Sequence, residues 1–223
     1  YARARGRLAE LDAGEGRFDR ARAGAEGALA LLRAGAAQIG EPPVLAADIA
    51  DAELRLGALD LDSDQPSQAR RRFNEAIGRY EALAITEPDE PHWRAVLADA
   101  WALAAEADYV RGAHNEARAA FHESASIRLQ LLDEAPDSRR AHYALASVLE
   151  RLGLAAFACG DRAAACGAWE EQLVLAARIF PDHDAPDGMR FRAIVHAHLA
   201  GASGADAEDH RLEALALFDA LAR

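Results

Sequence analysis

Between residues 93 and 111 the apolar side chains Leu97, Trp101, Ala104, Ala105 and Tyr109 fall at steps of three and four, the spacing of one helix face. Between 114 and 134 the same steps carry Ala117, Ala120, Phe121, Ile127 and Leu131. Gly112 separates the two runs and Pro136 follows the second, as expected where a left-handed residue ends one helix and proline forbids extension of the next. No alternating run of Val, Ile or Thr suggests a strand. Extended along the chain, the pattern predicts ten helices: 1–14, 17–38, 43–61, 65–86, 91–111, 114–134, 138–159, 162–179, 187–202 and 206–222. The stretches 180–188, with two prolines and three aspartates, and 201–209 are predicted loops.

The pattern repeats. A shift of 48 residues aligns Gly57, Ala105 and Gly153, then Ala69, Ala117 and Ala165, then Phe73, Phe121 and Trp169, without a gap. The turns at 62–69, 111–117 and 159–165 align as well. The end copies are weaker. Ala9, Ala21 and Ala25 keep register with alanine in place of the aromatic, Gly201 is in register, and Ala214 and Phe218 sit one residue late. Degenerate end copies suit a stacked array, in which a terminal unit has a neighbour on one side only.

A small residue, an alanine twelve positions on and an aromatic four further resembles the tetratricopeptide repeat (TPR). Trp101 four before Ala105, Leu56 and Leu152 one before their glycines, and Ala76 three after Phe73 add to the likeness. The period is 48 residues rather than the usual 34, so the array is similar to long-period bacterial ones with lengthened helices and inter-unit turns. The resemblance implies an all-α right-handed solenoid of about five antiparallel helix pairs, forming one domain over 1–223. Its units would be about 1–40, 41–88, 89–136, 137–184 and 185–223. The recurring small and aromatic residues are then packing positions: Gly or Ala lets two helices approach, and the aromatic fills the gap toward the next pair.

Composition agrees with this. About a quarter of the 223 residues are alanine, the best helix former, and only 6% are aromatic. The net charge of −12, with arginine as the only basic residue besides histidine, argues against nucleic acid or an anionic membrane surface as the main partner. No apolar run approaches the ~20 residues that span a bilayer. The chain starts at Tyr1 rather than Met and is expected to be a piece of a longer protein, cytoplasmic in location. Cys159 and Cys166 are expected as free, partly buried thiols.

Candidate chemistry is sparse. His196 and His198 are two apart on a predicted helix and point to different sides. His114 and His122 are expected to be solvated, and Cys166 has no histidine or acidic partner nearby in sequence. No phosphate loop, nucleophile elbow or zinc spacing is present. These readings lead to no enzyme, no cofactor and no metal.

The resemblance implies that first helices line the inner surface, at positions six and three before and one after the small residue. Four of those nine residues, Asp51, Asp99, Glu106 and Glu150, are carboxylates, Ser147 is a fifth member, and none is basic. The set reads either as an ordinary solvated acidic face or as a groove for a basic or amphipathic peptide, with Tyr109 and Phe157 as aromatic walls or core residues. Relatives that clamp a chain-terminal carboxylate present Lys, Arg and Asn there. This chain has Ala58, Glu106 and Leu154 at the asparagine position, and only Arg55 and Arg151 nearby. The expected function is a noncatalytic protein-interaction scaffold. The alternatives are a regulatory segment controlling a neighbouring effector domain and a homo-oligomeric assembly piece.

Overall fold

A computed structural model describes residues 6, 9, 12, 14–204 and 206–222. Among them are nine helices and no strand. The chain divides into two compact units, 1–113 and 114–223. The first contains α1 (Phe18–Ile39), α2 (Pro43–Asp62), α3 (Pro66–Thr86) and α4 (Pro91–Val110). The second contains α5 (His114–Glu134), α6 (Arg139–Ala158), α7 (Arg162–Ile179), α8 (Pro186–Ala202) and α9 (Ala207–Leu221). Each helix packs on the next within its unit, giving the all-α helix pairs that the repeat predicts. Bounds agree with the expected ones to within one or two residues. The helix expected over 1–14 lies mostly outside the described residues.

Local chemistry sets the helix ends. Proline takes the first position of α2, α3, α4 and α8, where its missing N–H costs nothing. Ser138 caps α6 by accepting from the Ala141 amide at 3.2 Å, and Asp161 caps α7 by accepting from the Ala164 amide at 3.1 Å. The turns repeat at the 48-residue period. Gly16, Asp64, Gly112 and Gly160 all adopt φ between 56° and 81°. The amide of each following residue bonds back to the carbonyl of residue 12, 60, 108 or 156, at 2.8–3.0 Å. This is the helix-ending motif that requires a left-handed residue, which glycine adopts freely and aspartate tolerates.

The recurrent small and aromatic residues have a direct explanation. A Cβ placed on Gly57 would lie under 3.0 Å from the Phe73 ring, and one on Gly153 equally close to the Trp169 indole. Phe73, fully buried, therefore rests on the glycine of its own helix pair. Trp169 does the same and also meets the next pair: its Nε1 donates to the Glu150 carbonyl at 3.3 Å, and its outer face stacks on His198 of α8 at 5.0 Å. Ala165, Trp169, Val195, Leu199 and Ala202 form one core cluster there, and Ile49, Ala52, Leu56 and Leu59 anchor another around α2.

Candidate functional site

In the first unit α2 and α4 run past one another with Tyr80 of α3 behind them. Val44, Ala47, Asp48 and Asp51 of α2 and His92, Trp93 and Val96 of α4 line a pocket of about 270 Å³ floored by Tyr80. Tyr80 is 1% exposed, and its hydroxyl donates a short hydrogen bond to Asp51. Burial, then the bond to Asp51 and the charges of Asp51 and Asp99, push the phenol well above its ordinary value, while Arg55 pulls the other way. Tyr80 is thus a permanent donor that fixes the Asp51 carboxylate. The Trp93 indole is fixed in turn by donating to Glu87 at 2.8 Å, and the His92 ring lies 5.0 Å from it. The result is a small recess with an acidic rim, an aromatic edge and an aliphatic wall.

Of the residues singled out from sequence, Asp51 and Asp99 both act on Tyr80, so the fold brings these two together. Arg55 belongs to the same surroundings, which tempers the acidic character read from the nine positions alone. Asp99 is exposed on α4, and Glu106 and Tyr109 are half-buried farther along that helix. Ser147, exposed, and Glu150, half-buried, are on α6 of the second unit. Phe157 is 40% exposed, lies 6.3 Å from Trp169 and carries the Arg162 guanidinium over its face at 5.9 Å, so it is not a core residue.

The other candidates resolve individually. His196 and His198 do point apart: His198 stacks on Trp169, whereas His196 Nδ1 is 3.1 Å from His210 Nδ1 of α9. Burial, then the neighbouring His210 and, less, Arg192, lower the His196 pKa from its ordinary value, against the opposing pull of Glu213. His122 is exposed as expected, but His114 is half-buried. Both cysteines are free thiols, and Cys166 Sγ sits 3.7 Å from the Ser203 hydroxyl. Among the described residues no group of three or more His, Cys, Asp or Glu is placed to hold a metal ion. No helix among them is long and apolar enough to cross a membrane.

Sequence reasoning missed the buried carboxylates. Glu53, Asp60 and Asp108 are 1%, 0% and 0% exposed. Asp60 accepts from Arg22 of α1 and from Arg72 Nε at 2.8 Å, and Glu53 accepts from Arg33 and Arg72. Asp108 accepts from Arg70 Nε at 2.8 Å and Arg111 Nε at 2.9 Å. Burial alone would lower the Arg72 pKa, but its bonds to Asp60 and Glu53 outweigh that and raise it. The signal was present: Asp12, Asp60 and Asp108, like Arg22 and Arg70, recur at the 48-residue shift.

No protein-family model and no curated protein matches the chain. Solved structures do. A kinesin-light-chain-type protein of Podosopora anserina, built from nearly identical TPR-like repeats, is 18% identical. The match covers 99% of this chain and 92% of that one with a TM-score of 0.69, or 0.70 for a point variant of it. BtubC (BKLC) of P. vanneervenii is 16% identical over 92% of this chain and 84% of its own, with a TM-score of 0.56. At such identities the likeness establishes the fold, a TPR-type helical repeat array.

Proposed function

We propose that this chain, a TPR-type array by its fold, is a noncatalytic protein-interaction scaffold whose first-helix faces take a peptide or partner segment. The observation that carries the reading is the recess between α2 and α4. Its Asp48 and Asp51 carboxylates stand over Val44, Ala47 and Val96, and Trp93 edges it. A basic side chain on an amphipathic segment suits such a place, because its aliphatic stem covers the apolar wall while its charge meets the rim. Asp99 and Glu106, two helical turns apart on one face of α4, continue the acidic character in the first unit. In the second unit Ser147 of α6 corresponds to Asp99 and Leu154 to Glu106, and Glu150 adds a carboxylate at the position of Ala102. Stacked helix pairs that bury their mutual faces and leave first helices to meet partners suit a binding surface better than a reaction centre.

The test is site-specific photocrosslinking in the source cell. A crosslinker at Asp99 is expected to trap a discrete protein partner, and one at Arg71, on the exposed side of α3, is expected not to. Equal trapping at both positions would reject the first-helix face as the binding surface.

A further inference from the structure

The ion pair that repeats through the first unit changes partner in the second. Arg22, Arg70 and Arg118 occupy one repeat position, and Asp60, Asp108 and Ala156 occupy another. Arg22 reaches Asp60 at 2.5 Å and Arg70 reaches Asp108 at 2.8 Å, and both carboxylates are fully buried. At the third copy the carboxylate is a methyl group, Ala156, itself 1% exposed. Arg118 turns instead to Asp161 at the α6–α7 turn, 3.1 Å away, in a pair whose side chains are 39% and 44% exposed. A pocket of about 420 Å³ opens beside it, lined by Asn115, Arg118 and His122 of α5, Leu152 and Ala156 of α6, and Asp161.

We propose that this pocket binds a carboxylate carried by a ligand, in the place where the other copies supply their own aspartate. The donor set fits. The Arg118 guanidinium has five N–H groups in a planar fork, of which Asp161 engages one Nη1. The Asn115 amide and the His122 ring add N–H donors, and Leu152 and Ala156 form an apolar wall on one side. The Asp161 carboxylate opposes an incoming anion, but it is held as the α7 cap by the Ala164 amide and shares Arg118 rather than covering it. The site uses none of the inner first-helix positions and stands independently of the reading above. The carboxylate comes either from a small organic acid or from an Asp or Glu side chain of a polypeptide, and the experiment separates the two.

The experiment follows the Arg118 side-chain Nε–H resonance by NMR during titration of the 223-residue chain. The probes are N-acetyl-aspartic acid amide, its neutral asparagine analogue, and a short leucine-flanked peptide with one Asp, beside its Asn version. The carboxylate probes are expected to give a saturable shift and the neutral ones none. Arg118→Gln is expected to weaken binding, read on the His122 ring resonances, at least tenfold. Ala156→Asp, which restores the repeat's own carboxylate, should do the same while leaving the melting temperature unchanged or higher. A peptide at least tenfold tighter than the amide assigns the site to polypeptide side chains, and equal affinities assign it to small acids. An absent or unsaturable shift overturns the proposal, as does binding that survives in Arg118→Gln. Should Ala156→Asp fail to fold, Arg118→Gln decides alone, because its partly exposed side chain is not needed by the core.

Discussion

Arg70 of α3 donates to Asp108 of α4 at 2.8 Å, and the same bond, 48 residues earlier, joins Arg22 of α1 to Asp60 of α2. Each ties the second helix of one pair to the first helix of the next. Each carboxylate is fully buried while its arginine keeps some contact with solvent. A second guanidinium completes each acid, Arg72 for Asp60 and Arg111 for Asp108. An alanine-rich array offers few large side chains to interlock neighbouring pairs, and these bonds add direction to packing that has little of its own.

The asymmetry of burial decides which partner matters more. Arg70→Met leaves the sealed Asp108 carboxylate with Arg111 alone, and should cost ~3 kcal/mol of stability. Arg118→Met, at the same repeat position, loses a solvated pair and should cost no more than ~1 kcal/mol. Urea denaturation of both variants checks this, and equal losses would refute the distinction.

Gly153→Ala sets a methyl group under 3.0 Å from the Trp169 indole, a clash with a rigid buried ring, and should destabilise by ~1–3 kcal/mol. Gly167→Ala, on α7 with nothing within 4 Å of the new methyl, should stabilise by up to ~1 kcal/mol through helix propensity. Opposite shifts in melting temperature are the expected result.

Trp169 is 2% exposed between α6 and α8, and its replacement by alanine should cost ~3–5 kcal/mol. His122→Ala, on the exposed side of α5, should be nearly silent in the same thermal melt.

The α8–α9 contact carries a pH dependence. The His196 pKa is lowered in the folded chain, so below the ordinary histidine value the unfolded chain takes up a proton that the folded one resists. Its contribution is fully present above that value, near 6.5, and is lost as pH falls through the window beneath it. Two charged rings with Nδ1 atoms 3.1 Å apart would also repel. Protection of α9 amides from hydrogen exchange should therefore fall from pH 7.5 to 5.5. His196→Gln should flatten the change, and an unaltered slope in that variant would contradict the assignment.

The helices and their ends were legible because periodic apolar residues, Gly112, Gly160 and the prolines act locally. The packing of Gly153 under Trp169 was half legible. The recurrence marked both residues, but only the folded pair shows that the indole rests on its own glycine as well as on His198. The buried Asp60 and Asp108 were not read, because a chain of charge −12 invites every carboxylate to be taken as surface. Their recurrence at the 48-residue shift, Asp12 to Asp60 to Asp108, marks them as the same recurrence marks the glycines and aromatics. At the candidate site Asp51 and Asp99 were found by register alone, whereas Tyr80, which fixes Asp51, lies on a second helix that the register did not include.

The central claim is that first-helix faces, acidic in the first unit, hold a partner. The most direct measurement is the affinity of the crosslinked partner, or of a basic amphipathic segment taken from it, for the wild type and for Asp99→Arg with Glu106→Arg, across ionic strength. Charge reversal at exposed Asp99 typically shifts stability by only ~0.5 kcal/mol, and half-buried Glu106 lies at the surface of α4, so helicity should be kept. Binding should weaken at least tenfold at low salt, with the gap narrowing at high salt where the attraction is already screened. A partner that binds the double variant as tightly as the wild type at low salt would contradict the account and leave Asp51, Asp99, Glu106 and Glu150 without a part in binding.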